Sequence, residues 1–139
     1  MSAIRAVVLI ASMALVVGPA FAEMPESVSA MKWHKRVVLA ASPVAGDANL
    51  AAQLRMLEAW RSEAVARDVV FVAVRGDHVD GASDSAAALR QRYQLTGPGF
   101  RALLIGKDGR VALRSDKPIA SATLQRAIDA MPMRRAGER

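Results

Sequence analysis

Two stretches, Val37 to Ala41 and Val69 to Val74, are apolar at every position and rich in β-branched residues. A strand with one face in water alternates apolar with polar side chains; a strand without alternation must be covered on both faces. Between them, Leu50, Leu54, Leu57 and Ala64 recur at helical spacing. A helix joining two such strands implies parallel pairing through a right-handed crossover. These two runs hold the chain to a layered α/β arrangement.

The punctuation between the runs fills in the order. Ser42-Pro43-Val44-Ala45-Gly46 breaks the first strand, and Asp47 or Asn49 can cap the helix that follows. Glu63 and Arg67 support its exposed face four residues apart, and Trp60 reads as packing beside the apolar stripe. After a polar loop from Arg75 to Ser83, Ser83 or Asp84 can cap a second helix, Ser85 to Tyr93, which ends at Thr96-Gly97-Pro98-Gly99. Phe100 to Ile105 and Arg110 to Arg114 read as strands joined by Gly106-Lys107-Asp108-Gly109, since Asp-Gly between apolar runs signals a hairpin. Ser121 caps a last helix carrying Leu124, Ile128 and Met131. The expected order is β-α-β-α-β-β-α: a central mixed four-stranded sheet flanked by helices, both strand–helix–strand steps parallel and the final hairpin antiparallel.

The amino terminus reads as an export signal. Arg5 is followed by an apolar core from Ala6 to Val17, then Gly18-Pro19 and the small-residue end Ala20-Phe21-Ala22. That core is shorter than the roughly 20 residues needed to span a bilayer. Cleavage is expected after Ala22, giving a periplasmic or secreted protein with no transmembrane segment left. The expected domain map is a signal peptide over 1–22, a polar leader over 23–35, one domain over 36–131 and a basic tail over 132–139.

Cysteine is absent from all 139 residues. Exported proteins live where disulfides form, so this one must hold together by core packing alone. Chemistry that needs a thiolate is excluded. The net charge of +6, of which Arg5 carries one, points to anionic surfaces or acidic partners. Lys32, His34, Lys35 and Arg36 form one basic group, and Arg134, Arg135 and Arg139 another; Lys32, Lys35, Arg134 and Arg135 are the candidate anion contacts. Aromatic residues are too few to stack bases, so no specific nucleic acid is expected.

Other constellations are weak. Asp77, His78, Asp80 and Asp84 lie close together, but a single histidine with loosely spaced aspartates fits no standard zinc or calcium pattern; a solvated turn is the plainer reading. Ser42 with His34 lacks the glycine-framed elbow of a nucleophilic serine. Gly97-Pro98-Gly99 lacks the lysine and hydroxyl of a phosphate loop. No cofactor is implied.

The element order, the Lys107-Asp108-Gly109 hairpin and the terminal helix resemble thioredoxin. A fuller resemblance is carried by Trp33 with Arg36-Val37-Val38-Leu39, Arg67-Asp68, Leu89-Arg90, Phe100, Leu104-Ile105-Gly106-Lys107-Asp108-Gly109 and Ile128-Asp129-Ala130-Met131-Pro132-Met133-Arg134. In these the chain resembles a family of secreted bacterial proteins known as a domain of unknown function. That family is related to thioredoxin-like modules of animal sushi-repeat and coiled-coil-containing extracellular proteins. The resemblance implies a thioredoxin-like fold and no particular reaction. Where thioredoxins carry CxxC this chain has Ser42-Pro43-Val44-Ala45, and Arg101 falls near the place of their cis-proline, with Pro98 displaced upstream. Disulfide oxidoreductase or peroxidase activity is therefore excluded for want of a sulfur nucleophile. The expected function is a non-redox binding module for a protein or anionic partner, its groove formed by Ser42, Pro43 and Asp47 with Gly97, Pro98, Gly99 and Arg101. The alternatives are a metal-dependent enzyme at Asp77, His78 and Asp80, and a binder of anionic polymer or membrane surface through the basic groups.

Overall fold

The computed structural model describes residues 24–137; the expected export signal and its cleavage point lie outside them. Ten elements follow in order: β1 (Arg36–Ser42), α1 (Ala48–Ala59), α2 (Arg61–Val65), β2 (Val69–Arg75), β3 (His78–Asp80), α3 (Ala86–Arg92), β4 (Arg101–Ile105), β5 (Val111–Ser115), α4 (Ser121–Asp129) and α5 (Pro132–Arg135). The strands form one five-stranded sheet in the order β3-β2-β1-β4-β5. β1 and β2 pair in parallel, and the other three pairs are antiparallel. This mixed open sheet with helices on both faces is compatible with a thioredoxin-like α/β fold.

Alternation along the strands sorts the core into two layers, because successive side chains point to opposite faces. Val37, Leu39, Ala41, Val72, Val74, Leu103 and Ile105 face α3 and the segment before β1, through Leu89, Tyr93, Val28 and Met31. Val38, Ala40, Val69, Ala102 and Leu104 face α1, α2 and α4, through Leu50, Leu57, Trp60, Ala64, Leu124 and Ile128. Burial on both faces is what the unbroken apolar runs demand. Two residues of the mostly exposed leader join this core. Val28 and Met31 are each 4% exposed, and Val28 N donates to the Asp84 carboxylate at 2.8 Å.

Two expectations about topology are corrected. The sheet has five strands, since part of the segment read as a polar loop forms β3. Arg75 pairs with His78 across a two-residue turn, Gly76-Asp77, in which Gly76 has φ +57°, a conformation that suits a tight hairpin. The second strand–helix–strand step is also not parallel. β3 returns the chain to the end where β1 begins, α3 climbs back, and β4 therefore enters beside the end of β1 and runs against it, Arg101 opposite Ala41 and Ile105 opposite Val37.

Capping follows side-chain chemistry. Asp47 caps α1, accepting from Asn49 N at 2.8 Å and Leu50 N at 3.2 Å. Ser85 caps α3 by accepting from Ala88 N, while Asp84 turns back to Val28. Ser121 is not a cap: α4 starts from Ala120, and the Ser121 hydroxyl reaches the Met56 carbonyl. The tail contributes α5, with Pro132 at its first turn, where a missing N–H costs nothing. Among the described residues no helix is long and apolar enough to cross a membrane.

Candidate functional site

The strands converge on two ends, and each gathers residues of interest. At the end where β1 finishes, the loop Pro43–Gly46 and the segment Gly97–Arg101 flank each other, as the Ala41–Arg101 pairing requires. Pro43, Val44, Gly97, Pro98 and Gly99 are exposed. Ser42 is not: it is 2% exposed, its hydroxyl donates to Asp47 Oδ2 at 3.0 Å and accepts from Val44 N at 3.1 Å. Ser42 and Asp47 thus build the loop instead of facing a ligand. The amide of Leu50, foremost, holds the Asp47 carboxyl below its ordinary range; desolvation opposes it, and the Ser42 hydroxyl and Asn49 N add to the lowering. Arg101 lies along Gly97 and Gly99 and donates to the Phe100 carbonyl at 2.9 Å. The cleft between these segments holds about 10 Å³, room for one water at most. It suits contact with a surface, not enclosure of a small molecule.

The Asp77, His78 and Asp80 group does not converge. Asp77 lies in the hairpin turn and pairs with Arg90 at 3.1 Å. His78 and Asp80 sit two apart on one face of β3, 3.0 Å from each other, and Asp80 also pairs with Arg75 at 3.3 Å. Among the described residues no three such groups gather to hold a metal ion.

The other end, where β1 begins, holds a cavity of about 470 Å³ lined by Trp33, Arg36, Lys107, Ala112, Met131 and Met133, among others. Its floor is charged. Arg36, read from sequence as part of a surface basic group, is 1% exposed, because it opens a strand covered on both faces. Its Nη1 donates to the Arg67 carbonyl at 2.7 Å, and its Nε is buried without a partner. Desolvation chiefly, then the charge of Arg134, lowers the Arg36 guanidinium from its ordinary value, while Asp68 and Asp129 oppose them.

The carboxylates beside Arg36 are committed to other cations. Asp68 Oδ2 accepts from Lys107 Nζ at 3.0 Å; burial raises its carboxyl, but Lys107, Lys35 and Arg36 outweigh that and hold it low. Asp129 takes Arg67 Nε and Nη2 at 3.0 and 3.1 Å, with Arg134 at 3.5 Å. Hydrogen bonding from Arg67, chiefly, holds Asp129 low against partial desolvation. Arg67 also takes Glu63 at 2.7 Å, the pair expected from their spacing.

Of the candidate anion contacts, Lys32 lies over the Trp33 ring at 5.3 Å, Lys35 acts on Asp68, and Arg134 reaches Asp129 and the Ala66 carbonyl. Arg135 is exposed on α5. The fold thus brings residues of the two basic groups to one end, where Arg134 pairs with Asp129 and the main partners of Asp68 and Asp129 are Lys107 and Arg67. Trp33 is 58% exposed and has φ +72°, a costly conformation for a bulky residue, held by its N–H donating to the Lys107 carbonyl at 2.6 Å.

The residues around this cavity (Trp33, Arg36, Lys107 and Met131-Pro132-Met133) are among those that carried the family resemblance in the sequence. No curated protein matches the chain. The domain of unknown function DUF4174 matches residues 27–137, a span that takes in most of the leader, both ends of the sheet and α5, and the chain belongs to that family.

Proposed function

We propose that the protein is exported, that its scaffold is thioredoxin-like, and that it works by binding a partner protein at the end where β1 finishes. The observation that carries this reading is the register that sets Arg101 opposite Ala41. It places the exposed Pro43–Gly46 loop beside Gly97–Gly99, where a thioredoxin would present its sulfur pair and cis-proline. Neither is present here: the chain has no cysteine and, among the described residues, no cis peptide bond. The exposed side chains on offer are the apolar Val44, 59% exposed, and the half-buried cation Arg101. A partner with an apolar contact flanked by a carboxylate fits that pair.

A photo-crosslinker at position 44 or 98 of the exported protein captures one common partner, and the same group at Val65, on α2, does not. The double variant Val44→Asp, Arg101→Glu loses that capture. Equal capture from all three positions, or capture that survives the double variant, removes the reading. Amino-terminal sequencing of the exported chain is expected to begin at Glu23; a chain that retains Met1 in its own compartment refutes cleavage after Ala22.

A further inference from the structure

The opposite end of the sheet carries the cavity floored by Arg36. We infer that the cavity between Trp33, Ala112 and the Met131-Pro132-Met133 turn binds a small aliphatic monocarboxylate, with the apolar body along those walls and the carboxylate on Arg36. This does not depend on the reading above, since it concerns other residues at the other end of β1.

An arginine keeps its charge at any physiological pH, so Arg36 cannot escape the cost of burial by losing its proton. A buried charge without a counter-ion is expensive, and nature pairs or hydrogen-bonds it. Here the only side-chain hydrogen bond of Arg36 among the described residues goes from Nη1 to a neutral carbonyl. Asp68 belongs to Lys107 and Asp129 to Arg67. Asp108, also on the lining, turns its Oδ1 to Arg110 N at 3.0 Å. What is left is the Nε edge of the guanidinium, which together with Nη2 donates two parallel hydrogen bonds to a carboxylate that meets it side-on.

The walls select the rest of the ligand. At about 470 Å³ the cavity falls within the range of small-molecule sites, and Trp33, Ala112, Met131, Pro132 and Met133 offer almost only hydrocarbon, sulfur and aromatic surface. Inorganic phosphate or sulfate would leave those walls wet. A peptide end would bring N–H groups for which they supply few acceptors. Methionine adapts to an unbranched chain. The strained Trp33, pinned through its N–H to Lys107, stands at the rim.

Calorimetric titration of the full exported protein with decanoate, below its micelle concentration, tests this against decanol, which has the same body and no charge. Decanoate is expected to bind at least tenfold more tightly than decanol. Arg36→Met removes that preference, and Ala112→Trp, at an exposed wall position, weakens decanoate at least tenfold with no loss of Tm. The Ala112 variant decides the matter if the Arg36 variant fails to fold. Equal binding of acid and alcohol, no binding of either, undiminished binding to Ala112→Trp, or binding of acetyl-Leu-Leu in place of decanoate overturns the assignment. The Val44→Asp, Arg101→Glu variant binds decanoate as the wild type does, which keeps the two sites' failures distinguishable.

Discussion

Gln53 shows how a single polar side chain can fix a loop. It lies on α1 with its side chain fully buried, and it donates to the Ile119 carbonyl at 3.0 Å while accepting from Ile119 N at 2.7 Å. A backbone donor and a backbone acceptor in the Pro118–Ile119 segment thus depend on one amide. Gln53→Leu keeps the volume and orphans both groups, each worth about 1–3 kcal/mol when buried, so a loss of roughly 2–4 kcal/mol is expected. Urea unfolding measures it, and a variant as stable as the wild type shows that the loop does not need the amide. Sequence spacing put Leu50, Leu54 and Leu57 on the buried stripe but did not distinguish Gln53, because periodicity marks the apolar positions and is silent on a polar one that finds partners. The same blindness hid Arg36, the first residue of a strand with no polar alternation after it, and made Ser42 look like a groove residue when its hydroxyl closes its own turn.

At the scale of elements, the shortest strand is the most exacting. β3 is held beside β2 by three paired positions, and the chain leaves it through Gly81, which has φ +88° and lies so close to the Phe71 carbonyl that a Cβ would sit 2.2 Å from its oxygen. Gly81→Ala meets backbone, not a movable side chain, and also incurs the left-handed penalty, together costing roughly 1–3 kcal/mol or more. Hydrogen exchange is expected to quicken first at Val79 and Asp80 and only later at β1; uniform loss of protection would mean that β3 does not open on its own. Strands β1, β2, β4 and β5, helix α1 with its Asp47 cap and the Lys107-Asp108-Gly109 turn were legible, since each has an apolar run, a helical period with a cap, or a turn signature. β3 was not, because three residues are too few to show a period and the Gly76-Asp77 turn lay inside a polar stretch. Missing it also inverted the expected direction of β4, which depends on where β3 leaves the chain.

Across the whole molecule, the carboxylates tie separate elements together and do so only when ionised. Asp68, just after α2, reaches Lys107 in the β4–β5 turn, and Asp129 at the end of α4 reaches Arg67 and Arg134. Asp47 closes the loop at the opposite end. All three are held below their ordinary values in the folded protein. The unfolded chain therefore binds protons that the folded chain refuses once pH drops to about 4, the ordinary range for aspartate, and stability falls as acid protonates these groups. Above that range the contribution is complete, so Tm set by these groups is flat from about pH 5 to 7 and declines below about pH 4. Asp129→Asn keeps the shape and removes one of the three. Its Tm lies below the wild type at pH 7, where Arg67 has lost a charged partner, and the two curves draw together as acid protonates the wild-type carboxylate, below the ordinary aspartate range. Thermal melts at fixed ionic strength decide it. Two curves that stay parallel as pH falls from 7 through the aspartate range would show that the Asp129 charge contributes nothing, and that α4 is held in place by its apolar face alone.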